Sequence, residues 1–310
     1  MKTVNSLSGG KTSSYLAAHY PADYNVFSVV CIDDVKCAPK DKALIDYVNQ
    51  KLSKYALEFG EFIATAEDDK TLIAMMHLEQ YLGQEIIWVR GKSFDEIITT
   101  PTIFGGGKNG PGRLPSWARR YCTSIMKLLA IFEWWFHNVY EKVDMRLGFR
   151  FDEFKRMERF FNNSNPSEMT IPVGCSTRGS RLQQKETFKW RYCSFPLIQN
   201  SVNKIIVDNW ASDLIIPATL FSPEIKIEFP AISNCVGCFH KKPETLAVEW
   251  EINPNKMQWF ADKELIGKGT WLDSGMTYQE IGDNHVEIAK ERMYEMIKLG
   301  QSCDSGGCTD

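Results

Sequence analysis

The stretch of sequence that decides the fold is Val4-Asn5-Ser6-Leu7-Ser8-Gly9-Gly10-Lys11-Thr12-Ser13-Ser14, close to the start of the 310-residue chain. A strand pattern over 3–7 ends in Ser-Gly-Gly, and a helix is predicted over 13–19. Glycines leave no Cβ in the way of a ligand. The N-terminus of the following helix directs N–H groups and the positive end of its dipole at an anion. The pattern therefore predicts a cradle for a phosphate or pyrophosphate group.

Hydroxyls, glycine backbone and one lysine make up the candidate cofactor-binding residues of this loop: Ser6, Ser8, Gly9, Gly10, Lys11, Thr12, Ser13 and Ser14. Lys11 adds a point charge and is also a candidate catalytic residue. The G-x-x-x-x-G-K-[ST] spacing of a Walker A loop is absent. An ordinary strand–turn–helix connection is the alternative interpretation.

Composition predicts an ordinary globular protein, with 44% hydrophobic and 24% charged residues. The net charge of −3 excludes a global attraction for nucleic acid but leaves room for a local basic face. The first residues lack a signal-peptide pattern and no apolar run is long enough to span a membrane, so we expect a soluble cytoplasmic protein. Nine cysteines without a secretory signal favour metal binding or redox chemistry over disulfides.

Strand and helix patterns alternate through the first half of the chain. Strands are predicted over 25–31, 61–64, 85–89 and 143–149, and helices over 41–59, 71–81 and 116–140. Such alternation predicts an α/β fold, a Rossmann-like parallel sheet with helices on both faces. The alternation fades beyond about residue 162, so we expect a nucleotide-binding domain over 1–165. A cysteine-bearing C-terminal part over 166–310 would surround the sheet rather than continue it, unless the two form one continuous domain.

Further candidates follow the predicted strands. Asp33 and Asp34 end the second strand, where an acid can contact a ribose, an adenine amine or Mg²⁺, or can cap a helix. Arg150 can clamp a phosphate or sulfate with two parallel hydrogen bonds. Glu153 is a further cofactor-binding candidate, although it can pair with Arg156 three residues later. The glycine-rich residues 100–115 read as a functional lid or a disordered loop.

A C-x-x-C pair at Cys235 and Cys238 can direct two thiolates at one metal ion or cluster. A redox dithiol, half of a zinc site or two buried structural thiols are the alternatives. Cys122, at the start of the long predicted helix, and one cysteine of the tail would complete a Cys₄ set. The tail offers Cys303 and Cys308, and the remaining four cysteines read as structural: Cys31, Cys37, Cys175 and Cys193.

Together these segments resemble the PP-loop adenine nucleotide alpha-hydrolases and, within them, the phosphoadenosine phosphosulfate (PAPS) reductase-like family. Residues 8–13 look like the pyrophosphate loop S-G-G-K-D-S, with Thr12 where Asp is usual. Residues 120–123 with Lys127 look like the R-x-C-T…K segment, and residues 148–153 with Arg156 look like G-x-R-x-x-E…R. Residues 234–239 with Lys242 look like the cysteine pair of phage- and mobile-element-associated members, which are related to the DNA phosphorothioation component DndC.

The resemblance implies an enzyme that binds ATP with Mg²⁺, releases pyrophosphate and transfers sulfur to the adenylated acceptor. It implies a [4Fe–4S] cluster on Cys122, Cys235, Cys238 and Cys303, with zinc or Cys308 as alternatives. Catalytic roles fall to Lys11, Arg150 and Cys308. Expected partners are a sulfur or electron donor of the cysteine desulfurase or thioredoxin type and a nucleic-acid acceptor reached through partner subunits.

Two other functions stay open at this stage. A sulfonucleotide (PAPS or APS) reductase would use Cys308 as its nucleophile and would need no ATP cleavage. A nucleotide-binding module stapled by zinc would catalyse nothing.

Overall fold

The computed structural model describes residues 1–56, 58, 60–99, 114–116, 120–163, 166–172, 185–219, 222–232, 235–267 and 269–289. Cys175, Cys303, Cys308 and nearly all of the glycine-rich loop over 100–115 lie outside the described residues. The expectations placed on them remain predictions.

The strands are, in chain order, β1 (Thr3–Leu7), β2 (Tyr24–Val29), β3 (Cys31–Ile32), β4 (Ala64–Thr65), β5 (Ile86–Arg90), β6 (Val143–Arg146), β7 (Glu168–Pro172), β8 (Lys185–Lys189), β9 (Arg191–Ser194), β10 (Ile215–Ile216) and β11 (Ile225–Lys226). The helices are α1 (Lys11–His19), α2 (Lys42–Leu52), α3 (Asp69–Leu82), α4 (Phe94–Thr99), α5 (Leu129–Asn138), α6 (Phe154–Asn163), α7 (Pro196–Gln199), α8 (Lys204–Ser212), α9 (Pro243–Ile252), α10 (Pro254–Gly267), α11 (Tyr278–Asp283) and α12 (His285–Ile288). Short 3₁₀ turns cover Val35–Cys37 and Phe151–Glu153, and a π-helical segment covers Thr123–Leu128.

Five strands form one parallel sheet in the order β5-β2-β1-β6-β9. The chain moves outward from β1 through β2 to β5 and then returns to place β6 on the other side of β1. The strand order therefore reverses beside β1, and in open α/β sheets ligands bind at the carboxyl ends of the strands at such a switch point.

Alternate residues of the central strands enter two hydrophobic clusters on opposite faces of the sheet. Val26 of β2 and Val89 of β5 pack in a cluster with the aromatic residues of α5. Phe27 and Trp88, their neighbours in sequence, pack in a second cluster with α2 and α3. This period of two is what a strand buried on both faces requires. The predicted parallel sheet flanked by helices is thus confirmed.

The expectation that the C-terminal part would not continue the sheet is wrong for β9. This strand pairs in parallel with β6, from Val143 opposite Arg191 to Arg146 opposite Ser194. The four-residue strand is too short to stand out as a β pattern among the prolines and cysteines around it. The predicted strand over 61–64 also differs, because β4 pairs antiparallel with β3 outside the main sheet.

Two predicted helices have different bounds. The helix expected over 41–59 ends at Leu52, and Asp41 caps its start by accepting a hydrogen bond of 2.9 Å from the N–H of Ala43. The helix expected over 116–140 is π-helical over Thr123–Leu128 before α5 begins.

The helices α9 to α11 pack against the end of the sheet where the strands finish. A third hydrophobic cluster joins Leu246, Phe260 and Tyr278 of these helices to Ile32 of β3 and Met126 of the π-helical segment. The C-terminal helices therefore share a core with the loops of the sheet. Within the described ranges, no helix combines the length and the hydropathy needed to cross a membrane.

Gly9 and Gly83 both have positive φ angles but differ in their surroundings, which makes them a matched pair. A Cβ at Gly9 (φ 79°) would lie 2.2 Å from Cγ2 of Thr71, whereas a Cβ at Gly83 (φ 60°) meets no atom within 4 Å. We expect Gly83→Ala to lower the free energy of unfolding by about 1–2 kcal/mol through backbone strain alone. Gly9→Ala should cost about 1–3 kcal/mol more because of the overlap. Urea unfolding of both variants measures the difference, and equal losses would contradict the close packing at Gly9.

Candidate functional site

The predicted phosphate loop connects β1 to α1 at the switch point of the sheet. Gly9 takes the left-handed conformation, and Gly10 occupies the N-cap position of α1. The first hydrogen bond of the helix runs from the N–H of Ser14 to the carbonyl of Gly10, at 3.1 Å. By the geometry of an α-helix, the N–H groups before it are directed out of the N-terminus, where an anion is stabilised.

Two of the loop hydroxyls form hydrogen bonds with the backbone of the loop. The Oγ atoms of Ser13 and Ser14 lie 3.0 and 3.1 Å from the carbonyl oxygen of Gly10, to which they donate. Ser13 Oγ also accepts a hydrogen bond of 3.1 Å from the N–H of Ser8. Both serines are buried. Their role in the structure is to fix the shape of the turn from inside.

The segment after β6 meets the loop from the neighbouring strand. A Cβ on Gly148 would lie 3.3 Å from Cα of Ser13, so only a glycine allows this approach without a shift. Nη1 of Arg150 donates a hydrogen bond of 3.0 Å to Oγ1 of Thr12. The structure thus brings together two of the segments that the sequence singled out, 138 residues apart.

The cations of this region already have acidic partners. Arg150 pairs with Asp152 at 3.1 Å and with Glu153 at 3.4 Å. Lys11 pairs with Asp208 of α8 at 3.4 Å. Glu153 also pairs with Arg156 at 2.9 Å, which is the alternative noted from the sequence. An incoming phosphate would therefore exchange with carboxylates for these cations.

Asp33 and Asp34 make local contacts in the structure. Asp34 caps the 3₁₀ turn that follows, accepting a hydrogen bond of 2.8 Å from the N–H of Lys36, so its capping alternative is the one observed. Asp33 accepts a short hydrogen bond from the hydroxyl of Ser93, and its own N–H donates to Asp95 at 2.7 Å. Neither aspartate lines the cleft described next.

A cleft opens between the carboxyl edge of the sheet and the π-helical segment. It encloses about 50 Å³ of free volume and opens to solvent, so it is narrower than a typical small-molecule site. Its lining contains five hydroxyl side chains and two cations: Ser6, Ser8, Ser13, Ser28, Thr123, Lys127 and Arg191. Among the described residues, no acidic side chain lines it.

Three of the four proposed ligand cysteines line a second cavity. Cys122, Cys235 and Cys238 share it with Arg120 and His240. A Cβ on Gly237, inside the C-x-x-C turn, would lie 2.3 Å from the ring of Phe260, so the turn can pack against this ring only with glycine there. The sequence prediction that these cysteines converge agrees with this arrangement.

The cysteine cavity is not a preformed metal site in the part of the chain that the structure covers. No group of three His, Cys, Asp or Glu side chains in the described ranges has positions that could hold a metal ion. The fourth expected ligand, Cys303, lies outside those ranges. The donor set present therefore does not fit a metal centre by itself.

The surroundings of Cys31 and Cys37 differ from those of the cysteines in the cavity. Burial raises the pKa of the Cys31 and Cys37 thiols to about 12, which agrees with a structural role. In the cysteine cavity, burial and then the positive charge of Arg120 lower the pKa of His240 to about 4, so this imidazole is neutral at pH 7. The positive charge that lines the cavity beside the cysteines is therefore that of Arg120, and a nearby guanidinium favours a thiolate.

One wall separates the cleft from the cysteine cavity. Thr123 and Lys127 of the π-helical segment line both. Lys127 pairs at 3.0 Å with the buried carboxylate of Glu67, and the backbone of Glu67 forms a bridge with Cys235. The sequence resemblance drew attention to Lys127, but the contribution of Glu67 could not be read from the sequence because no motif marks it.

The functional residue that sequence reasoning missed most clearly is Arg191. It is the first residue of β9 and lines the floor of the cleft. An arginine at the start of a short strand looks like an ordinary solvated residue, and no motif in the sequence marks it.

Comparison of the chain with protein families, with curated proteins and with solved structures found no match. The functional assignment depends on the residues of the two cavities.

A buried ion pair supports the C-x-x-C turn and gives a test of its stability. Nζ of Lys241 lies 2.6 Å from Glu249 of α9 and 3.1 Å from the carbonyl oxygen of Val236, and both side chains of the pair are almost fully buried. We expect Lys241→Met to lower the free energy of unfolding by about 3–5 kcal/mol, because it leaves a buried carboxylate without its partner.

The matched control removes both charges. The double variant Lys241→Met/Glu249→Leu should recover most of the loss, since no unpaired charge remains. Denaturant unfolding of the two variants measures the difference in their free energies of unfolding. A double variant that is less stable than Lys241→Met alone would contradict the role given to the unpaired carboxylate.

Proposed function

We propose that this protein binds an adenine nucleotide on the loop over 8–14 and uses it for sulfur chemistry, activating an acceptor with ATP and transferring sulfur to it. The observation that carries the proposal is the wall made by Thr123 and Lys127. It separates a cleft whose described lining holds no acidic side chain from a cavity with three cysteines. The proposed nucleotide site and the cysteines would thus be next to each other. The resemblance to the PAPS reductase-like family supplies the adenine nucleotide and the reaction class.

In the first step an oxygen of the acceptor attacks the α-phosphorus of ATP. The bond from this phosphorus to the bridging oxygen breaks, and pyrophosphate leaves with the electron pair. The N-terminal N–H groups of α1, with Lys11 and Arg150, stabilise the charge that develops on the leaving group. Mg²⁺ would enter with the nucleotide as its counter-ion.

In the second step a persulfide in the cysteine cavity attacks the adenylated carbon, and AMP leaves with the acceptor oxygen. A second thiol then breaks the sulfur–sulfur bond, which leaves the sulfur on the acceptor and joins the two protein sulfurs in a disulfide. A donor of the cysteine desulfurase type would supply the persulfide, and one of the thioredoxin type would reduce the disulfide. Arg120 and Lys127 favour the thiolate forms that both attacks require.

The resemblance assigns a [4Fe–4S] cluster to Cys122, Cys235, Cys238 and Cys303. Because the described donor set does not form a metal site by itself, no step above passes through a cluster. Zinc or free thiols are the competing states of the same cavity.

The nucleotide half of the proposal is tested by Lys11→Ala, with Lys204→Ala as its matched control. Both lysines pair with Asp208, but only Lys11 belongs to the loop. Removing a charged hydrogen-bond donor costs about 1.5–3 kcal/mol, so the Kd for ATP should rise about tenfold or more in Lys11→Ala and change little in Lys204→Ala. Calorimetric titration with ATP measures both. Wild-type protein that does not bind ATP, or equal effects of the two variants, would contradict the proposal.

The sulfur half is tested by metal and sulfide analysis of anaerobically purified protein. Iron with acid-labile sulfide and absorption near about 400 nm would show a cluster and would contradict the persulfide route, which needs these cysteines as free thiols. The persulfide route instead predicts protein without iron or zinc, in which iodoacetamide alkylates Cys122, Cys235 and Cys238. The matched control Cys31→Ser/Cys37→Ser should keep this alkylation. ATP bound but never cleaved, in a zinc-containing protein, would favour the non-catalytic module.

A further inference from the structure

Arg191 is buried deep beside the cleft. Only 5% of the residue is exposed to solvent. Nε donates a hydrogen bond of 2.7 Å to the carbonyl oxygen of Pro166, and Nη1 lies 2.9 Å from Sδ of Met145. The guanidinium also lies over the ring of Trp190, 4.8 Å from its centroid. These contacts hold the side chain in one position along the sheet.

This guanidinium has no acidic partner among the residues that the structure describes. A guanidinium has five N–H donors, and the contacts to Pro166 and Met145 use only two of them, one on a weak sulfur acceptor. Nη2 makes no hydrogen bond to a described protein group. A buried charge without a counter-charge is costly, and burial lowers the pKa of Arg191 accordingly. Such a residue is expected where a ligand supplies the missing charge.

The surroundings of Arg191 in the cleft suit an anion. Ser6 and Thr123 offer hydroxyl donors, Lys127 adds a second cation, and the described lining contains no carboxylate. Lys127 already pairs with Glu67, so Arg191 is the cation of this lining with no acidic partner in the described chain. A planar guanidinium with free donors favours a tetrahedral oxyanion, which it can hold with two parallel hydrogen bonds.

Arg191 belongs to β9, the edge strand next to β6, and lines the cleft. Ser6, Ser8 and Ser13 of the loop also line it, whereas Lys11 and Arg150, the cations at the loop, do not. An anion on Arg191 would therefore lie beside the loop and would be bound by a different cation.

We propose that Arg191 forms an oxyanion subsite on the floor of the cleft, for a phosphate or sulfate group other than the one held by the loop over 8–14. This subsite deepens the proposed function and rests on it for the identity of the nucleotide. The anion is either a further phosphate of the bound nucleotide or a separate tetrahedral oxyanion that binds beside it.

The test measures the thermal stability of the protein in sodium sulfate against sodium chloride at equal ionic strength, and the Kd for ATP by calorimetry. The variants are Arg191→Gln, Arg191→Lys and Lys11→Ala. Arg90→Gln is the matched control, because Arg90 is equally buried (3% exposed), donates to the carbonyl oxygen of Glu61 and does not line the cleft.

Sulfate raises the melting temperature of most proteins because it is excluded from their surface, so we expect a general rise in every variant. The wild-type protein, Lys11→Ala and Arg90→Gln should show an additional rise that is absent from Arg191→Gln. A nucleotide phosphate on Arg191 predicts that the Kd for ATP rises about tenfold or more in Arg191→Gln and less in Arg191→Lys, which keeps the charge. Sulfate that competes with ATP in the wild-type protein but not in Arg191→Gln identifies this source. Sulfate stabilisation that adds to that of ATP identifies a separate oxyanion.

Two results would overturn the subsite. The first is a wild-type protein without sulfate-specific stabilisation, a result that does not depend on whether the variants fold. The second is an Arg191→Gln variant that keeps the full sulfate effect. Sulfate stabilisation that depends on Arg191, in a protein that does not bind ATP, would support the subsite and refute the proposed function. ATP binding that depends on Lys11 but not on Arg191, without sulfate-specific stabilisation, would support the proposed function and refute the subsite.

Discussion

The close approach of Gly148 to the first turn of α1 is the constraint on which the rest of the site depends. The backbone after β6 lies so close to Ser13 that a Cβ at position 148 would be 3.3 Å from its Cα, and a side chain there would require a small shift of the backbone. This contact fixes the relative position of the loops after β1 and β6, and it brings Arg150 within hydrogen-bond distance of Thr12. On the other side of the loop, the absence of a Cβ at Gly9 likewise allows close packing against Thr71 of α3. The phosphate loop is therefore held between two neighbouring elements, with little space to change shape.

The sequence was sufficient to predict the parts of the fold that local patterns encode. Apolar runs such as residues 25–31 and 85–89 predicted buried parallel strands, and they are β2 and β5. The Ser-Gly-Gly-Lys loop was predicted at the end of the first strand, where it lies. The three cysteines expected to converge line one cavity, although Cys122 is more than 100 residues from Cys235 and Cys238 in the chain.

What sequence reasoning could not predict depends on long-range pairing. β9 has only four residues, and its place beside β6 follows from the sheet as a whole. Arg191 becomes a buried cation only through that pairing, so its environment has no local signature. Asp33 and Asp34 show the opposite case, since their position after a strand suggested a ligand contact, whereas the structure places them in a capping bond and a contact with Ser93. Short-range hydrogen bonds compete with ligand roles for such residues.

The participation of β9 in the sheet limits how far this protein can be divided. A chain ending near residue 165 would keep the phosphate loop but leave β6 as the edge of the sheet, with one row of N–H and C=O groups unpaired. Such an open edge is a template for pairing with other chains. The same cut would remove Lys256, which donates to the backbone carbonyl oxygen of Glu67 and to the carboxylate of Asp69, and both acceptors would lose this partner. The cleft is thus a property of both halves of the chain and cannot be transplanted as an independent module.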